Sequence, residues 1–193
     1  GVATSPALMS AILMNRMLFF GLIIAEFGLV IWLTAAINRL SLSAATLMFV
    51  IYSVINGATL SVIFLVYTMS SITNVFFITA GTFAAMAAIG YTTKKDLSGM
   101  GKFLMMALIG LIIASVVNLF MRSTGLQLIM SYIGVLVFSG LTAYDSQKIK
   151  QMLMTAEDTG ETAQKIALLG ALSLYLDFIN LFLYLLRIFG KRN

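Results

Sequence analysis

The chain has 193 residues, of which 61% are hydrophobic and 10% are charged, and its formal net charge is +5. A soluble domain of this length could not bury so much apolar surface, so the composition predicts an integral membrane protein. The sequence contains neither cysteine nor histidine, which excludes disulfides, the usual zinc sites, thiol nucleophiles and histidine-dependent catalysis. We expect no enzyme activity, no bound metal and no cofactor. The modest positive charge lies near segment ends, which indicates a topology signal and no nucleic-acid partner.

Six apolar segments follow one another along the chain, at about residues 17–37, 44–68, 74–93, 103–121, 127–149 and 166–189. Each comes close to the roughly 20 residues that a helix needs to cross a hydrocarbon core about 30 Å thick. The sequence therefore predicts an all-α, polytopic transmembrane helical bundle that forms a single domain over residues 1–193. Most connections are short, which makes successive helices antiparallel neighbours. The exception is the stretch 150–165, which holds most of the polar residues.

The basic residues predict how these helices are oriented. Antiparallel helices place successive connections on alternate sides of the membrane. The basic residues on one side are Arg39, Lys94, Lys95, Lys102, Lys148, Lys150 and Lys165, and those on the other side are Arg16 and Arg122. The positive-inside rule makes the first side cytoplasmic. The first segment then enters from outside, which predicts a further helix before it and agrees with a start at Gly1 instead of Met. The tail of the last segment is basic but falls on the outer side, so the last helix is either shielded by the others or re-entrant.

The last segment carries a polar stripe within an otherwise apolar helix. Its members are spaced by four, three, four and three residues and so share one helical face; they are Ser173, Asp177, Asn180, Tyr184 and Arg187. Asp177 lies near the middle, where a carboxylate costs about 2.5–3.5 kcal/mol on insertion scales. The stripe is either a structural polar seam between helices or a path for ions or protons.

Three further charged residues are candidate partners for this stripe. Asp145 lies near the cytoplasmic end of the fifth segment and could alone be interfacial, but two acids on adjacent helices can share a proton. Glu26 lies well inside the first segment. Arg39 is the cation of the turn between the first two segments, where an isolated arginine usually snorkels to the interface. In the third segment, a small-residue packing seam is predicted at Gly81, Ala85 and Ala88.

Three stretches carry a resemblance to a known family: "GYTTKKDLSGMG" (90–101), "GLTAYDSQKIK" (140–150) and "GALSLYLDFINLFLYLLRIFG" (170–190). They resemble the Bax-inhibitor family, also called the transmembrane BAX inhibitor motif family, and in particular its bacterial inner-membrane members. The resemblance covers essentially the whole chain. It implies seven helices with the last one central and wrapped by the others, so that this chain corresponds to helices two to seven, with the first one missing. It also implies a multi-pass protein of the bacterial inner membrane.

The resemblance implies a pH-sensitive calcium-leak activity as well. It gives Asp145 and Asp177 the role of the family's paired acids and makes Arg39 the nearest match to its latch arginine. Eukaryotic relatives suppress cell death, and some bacterial relatives are linked to a membrane-bound AAA protease. Such a protease is therefore a candidate partner, beside the lipid bilayer, calcium and protons.

Residues and resemblance together lead to one main hypothesis, a passive cation leak with calcium as the ion. Only oxygen ligands are available, and calcium prefers oxygen. In this hypothesis Asp145 and Asp177 form the proton sensor, and Arg39 closes the cytoplasmic mouth when the pair is ionised. The other candidate pore-lining residues are Glu26, Ser173, Asn180 and Tyr184.

Two alternatives stay open at this point. The chain could be a membrane regulatory protein that binds a membrane protease or stress and cell-death factors without transporting anything. An intramembrane aspartyl protease also uses two membrane aspartates, one of them in a "YD" pair like Tyr144–Asp145. Its second aspartate follows a Gly-x-Gly motif, however, whereas Asp177 follows "LYL", so this alternative is the weaker one.

Overall fold

The computed structural model describes residues 28–30, 32, 35–36, 39–156 and 160–193. Six helices have both ends within these residues, and they are α1 (Leu42–Leu60), α2 (Ile63–Val66), α3 (Met69–Thr92), α4 (Ser98–Met121), α5 (Thr124–Met154) and α6 (Glu161–Phe189). Five stretches of the described chain are long and apolar enough to cross a membrane, because α1 and α2 together make one span over Leu42–Val66. The predicted all-α, polytopic transmembrane fold is confirmed.

The helices extend beyond the apolar segments from which they were predicted. α5 continues to Met154 and α6 begins at Glu161, so most of the stretch predicted as a long polar connection is helical. α4 begins at Ser98, several residues before its predicted start. A helix satisfies its own backbone hydrogen bonds whether or not its side chains are apolar, so it need not end where the hydrocarbon ends. The first predicted segment falls largely outside the described residues, and Glu26 lies there.

A two-residue turn joins α4 to α5, and local side chains explain it. Arg122 takes a left-handed conformation with φ of 49° and donates its N–H to the carbonyl of Asn118. The side chain of Asn118 accepts a hydrogen bond from the N–H of Ser123 at 3.0 Å. The hydroxyl of Ser123 accepts from the N–H of Leu126 at 3.2 Å and caps α5. The turn thus satisfies backbone groups at both helix ends and makes α4 and α5 antiparallel neighbours, as predicted.

The chain divides into two compact units, and α6 runs through both. The first unit comprises the described parts of Gly1–Met69, Asp158–Leu169 and Arg192–Asn193. In this unit Asn193 holds the end of α2, because its N–H donates to the carbonyl of Val66 at 3.0 Å and its side-chain amide donates to the carbonyl of Leu65 at 3.1 Å. The predicted single domain over the whole chain stays a prediction.

The second unit comprises Ser70–Glu157 and Gly170–Lys191, and within it α5 contacts α3, α4 and α6. Each of these contacts includes a glycine against which the partner helix packs closely; the pairs are Gly90 with Ala143, Gly140 with Leu104, and Gly134 with Tyr184. The helices α3 and α6 also meet, because Phe76 and Phe83 pack edge-to-face on Phe178 with ring centroids 5.6 and 5.4 Å apart. The core of this unit is therefore built on α5.

The small-residue seam predicted on α3 is wrong. Gly81, Ala85 and Ala88 are exposed, and a Cβ built on Gly81 would meet no described atom within 4 Å. The close approach lies at Gly90 instead, where an added Cβ would collide with the backbone of Ala143. α3 therefore packs closely on α5 in its last turn.

α6 is long and apolar enough to cross a membrane. Its 29 residues extend about 44 Å at roughly 1.5 Å per residue. Near its start, Gly170 packs against Ile149 at the end of α5. Just past its end, the N–H of Lys191 donates to the hydroxyl of Ser71, at the start of α3, at 2.9 Å. The shielded and re-entrant alternatives, and the central placement of this helix, stay predictions.

Candidate functional site

Two packing contacts fix the register of α5 against α6. Ile149 packs on Gly170, and Gly134 lies against the ring of Tyr184. The contact residues are 15 positions apart on α5 (149 − 134) and 14 positions apart on α6 (184 − 170). The two helices therefore run antiparallel at a nearly constant register.

This register brings the two predicted acids to almost the same level of the unit. Asp145 precedes Ile149 by four residues and is therefore level with Leu174, about one helical turn from Asp177. Two acids on adjacent helices are thus a feature of the fold, and their role in gating stays a prediction.

Asp177 is enclosed by its neighbours. The residue is 5% exposed, and the adjacent Phe178 packs on Phe76 and Phe83 of α3. Its Oδ2 atom is buried and receives no hydrogen bond from any described residue. A buried carboxylate oxygen without a donor is costly, so a proton, a cation or a water at this atom would lower the free energy of the site.

Asp145 lies at the more open end of the acid pair. The residue is half-buried, and the charge of Lys148, one turn further along α5, acts on it. The neighbouring hydroxyl of Ser146 donates to the carbonyl of Ala87 on α3 at 2.9 Å. α5 is therefore held against α3 directly beside Asp145, which limits how far this carboxylate can move relative to α3.

Most other members of the polar stripe on α6 are engaged in packing or local hydrogen bonds. The amide of Asn180 donates to the backbone carbonyl four residues earlier at 2.8 Å. The ring of Tyr184 stacks on Phe138 with centroids 5.8 Å apart, and Arg187 lies 5.3 Å from the centroid of the same ring. Ser173 is half-buried. A pore-lining role for Ser173, Asn180 and Tyr184 stays a prediction.

Arg39, the predicted latch, is an exposed residue of the turn that precedes α1. Its N–H donates to the carbonyl of Ala36 at 2.8 Å. Arg39 belongs to the first unit, whereas Asp145 and Asp177 belong to the second. Its action on the acids therefore stays a prediction.

The sequence analysis missed Gln147, a polar residue two positions from Asp145. Gln147 is 6% exposed and uses both ends of its amide. Its Nε2 donates to the carbonyl of Lys95 at 2.7 Å, and its Oε1 accepts from the N–H of Leu97 at 2.8 Å. These bonds clamp the α3–α4 loop to α5. The sequence does not distinguish Gln147 from Gln151, a second glutamine one turn further along the same helix. Only the structure shows that Gln147 is buried and Gln151 is exposed.

Gln147→Leu is expected to destabilise the protein by about 1–3 kcal/mol, because leucine keeps the size but leaves a loop carbonyl and N–H unpaired. The measurement is the thermal unfolding midpoint of the purified protein in detergent. Gln151→Leu is the matched control, since Gln151 is exposed on the same helix, and it should unfold at the wild-type temperature. Equal midpoints for the two variants would show that the clamp contributes nothing.

The sequence matches a known family along its whole length. A family model described as "Inhibitor of apoptosis-promoting Bax1" covers residues 1–193. The chain belongs to the Bax-inhibitor family. This confirms the resemblance carried by the stretches around Gly90, Asp145 and Asp177, and the structure places all three residues in the second unit.

Relatives of this Bax-inhibitor family chain occur in distant bacteria. Inner membrane protein YbhL of Escherichia coli K12 is 54% identical over 193 residues, which cover 99% of this chain and 82% of YbhL. A protein of Borreliella burgdorferi is 50% identical over 179 residues, covering 93% of this chain and 77% of the relative. A membrane protein of Streptococcus pyogenes is 43% identical over 184 residues, covering 95% of this chain and 79% of the relative. The match to YbhL and the apolar spans confirm the predicted location, a multi-pass protein of the inner membrane.

Proposed function

We propose that this Bax-inhibitor family protein is a pH-sensitive calcium leak in which Asp145 and Asp177 form the proton-sensing pair. The observation that carries the proposal is the buried Oδ2 of Asp177, to which no described residue donates, about one helical turn from a second acid. A purely structural buried polar group is normally hydrogen-bonded within the protein. The absence of a described donor at this oxygen therefore supports the hypothesis that Asp177 exchanges protons or cations.

The acid pair offers the chemistry that such a leak needs. Two carboxylates in an apolar setting can share a proton, and its gain or loss changes the charge of the site by one unit. Carboxylate oxygens are the ligands that calcium prefers, and the sequence has no cysteine or histidine to favour a softer ion. Calcium and protons are therefore the proposed ions. They pass through or exchange at the site, and the proposal involves no catalysis.

Arg39 is the proposed latch of this leak. An ionised acid pair attracts its guanidinium and favours the closed state. Protonation removes that attraction and shifts the balance between closed and open states. The support for this role is the charge of Arg39 and its resemblance to the latch arginine of the family.

The proposal is tested by reconstituting the full-length protein in liposomes that contain a calcium-sensitive dye. Calcium entry should exceed that of protein-free liposomes and should change with pH across the range in which the acid pair gains or loses its proton. A folded protein that passes no calcium at any pH would overturn the proposal. That outcome would favour the alternative function, regulation of a partner such as a membrane-bound AAA protease without transport.

Arg39→Ala is expected to raise calcium entry at neutral pH, because the closed state loses its cationic partner. The increase in flux should be severalfold at most, because an exposed ion pair contributes little to the free-energy difference between the closed and open states. The same liposome assay measures it, with Arg122→Ala as a control that removes an arginine from the α4–α5 turn. An unchanged flux for Arg39→Ala, or an equal rise in both variants, would exclude the latch.

A further inference from the structure

A cluster of lysines lies at one end of the second unit, where α3 ends, α4 begins and α5 ends. Two contacts bring these elements together. Gln147 binds the backbone of the loop at Lys95. The ring of Tyr144 packs on Gly101, next to Lys102. The cluster, called the lysine cluster below, consists of Lys94, Lys95, Lys102, Lys148 and Lys150.

Two of these lysines are held in place by tyrosines. The ammonium of Lys150 donates to the carbonyl of Tyr91 at 2.8 Å and lies 4.7 Å from the centroid of its ring. Lys148 lies 5.9 Å from the centroid of the Tyr144 ring. The positive-inside rule accounts for an excess of basic residues on this side of the membrane, but it does not fix where their side chains lie. The loop clamp and the tyrosine contacts make the arrangement of the lysine cluster a property of the fold.

The positive charge of the cluster is not neutralised within the described protein. The ion pair found among the described residues joins Lys165 to Glu161, outside the cluster. Asp96 is the acid of the loop, and the hydroxyl and N–H of Ser98 hold its pKa below the usual value, so it is ionised at neutral pH. The carboxylate of half-buried Asp145 also attracts the ammonium of Lys148. Against five lysines these two acids leave an excess of positive charge.

Apolar surface continues directly from the charged surface. Phe103 follows Lys102 on α4 and is 65% exposed, and Met106, one turn deeper, is 64% exposed. A soluble anion would use the lysines and leave this apolar strip uncovered. A phospholipid has both parts, an anionic headgroup and an acyl chain, joined at the level of the membrane surface.

We propose that the lysine cluster binds the headgroup of an anionic phospholipid, with an acyl chain of the same lipid along Phe103 and Met106 of α4. The headgroup phosphate accepts hydrogen bonds from the lysine ammonium groups. The binding does not depend on ion conduction, so it can be tested whether or not the protein leaks calcium.

The test compares phosphatidylglycerol with phosphatidylcholine by native mass spectrometry of the full-length protein in detergent. The wild type should retain phosphatidylglycerol in preference to phosphatidylcholine, and excess inorganic phosphate should not displace it. Replacing Lys95, Lys102 and Lys148 with glutamine should weaken phosphatidylglycerol binding at least tenfold and leave phosphatidylcholine binding unchanged. Replacing the same three lysines with arginine should preserve binding, which separates loss of charge from loss of fold.

A matched control removes equal charge from the opposite end of the second unit, through Arg122→Gln, Arg187→Gln and Lys191→Gln. This variant should bind phosphatidylglycerol like the wild type. A second variant, Phe103→Ser with Met106→Ser, keeps the lysines and should bind more weakly. Equal losses in the lysine variant and the control, or displacement of the lipid by inorganic phosphate, would overturn the proposal.

Discussion

Gly90→Ala is expected to lower the stability of the protein strongly. The new methyl group would collide with the backbone carbonyl of Ala143, and a carbonyl engaged in a helix cannot turn away as a flexible side chain can. α3 and α5 would have to separate where the Ser146 hydroxyl and the Lys150 ammonium bind carbonyls of α3. Overpacking of this kind typically costs about 1–3 kcal/mol, and we expect the upper part of that range.

The measurement is the thermal unfolding midpoint in detergent, compared with that of Gly81→Ala. Gly81 lies on the same helix with no described atom within 4 Å of the added Cβ. The control should therefore be neutral or slightly stabilising, since alanine favours a helix more than glycine does. If the two variants unfold at the same temperature, the close approach of α3 and α5 at Gly90 is wrong.

Asp177→Asn is expected to abolish most of the pH dependence of calcium flux. Asparagine keeps the size of the side chain and much of its hydrogen bonding, so the fold should survive. The substitution removes one of the two acids, however, and a single carboxylate cannot share a proton with a partner. Asp145→Asn should have the same effect for the same reason. Both variants are measured in dye-loaded liposomes across pH beside the wild type.

Asp96→Asn is the control for this experiment. Asp96 is an exposed acid of the α3–α4 loop, and its side chain accepts a hydrogen bond from the N–H of Ser98 at 2.9 Å. Its loss should leave the pH profile of the flux unchanged. A wild-type profile in Asp177→Asn would reduce Asp177 to a structural polar group and remove the basis of the proposed proton sensor.

Hydropathy was sufficient to predict the five described spans but not their ends. Apolar runs predict where a chain crosses hydrocarbon, because lipid imposes a nearly constant thickness. They do not predict how far a helix continues beyond the apolar run, as α5 does to Met154 and α6 does from Glu161. The acids were predictable for a related reason, since a carboxylate such as Asp177 within an apolar run is rare and stands out.

The glycines show what the sequence could not reveal. Gly81 and Gly90 occupy the same helix and the same kind of small-residue stretch, yet one is open and the other is covered by Ala143. The difference depends on how a second helix crosses α3, which is a tertiary property. Gln147 was missed for the same reason, because its partners lie in a loop about 50 residues earlier in the chain.

The continuity of α6 bears on how the site would treat an ion. The helix is unbroken from Glu161 to Phe189, so the backbone carbonyls around Asp177 are used within the helix and cannot replace the waters of an ion, as carbonyls at broken helices do. Calcium takes about six to eight oxygen ligands. The described residues bring no group of three or more acids together. An ion passing Asp177 would therefore keep most of its hydration shell, and such a passage sorts ions by charge and hardly by radius.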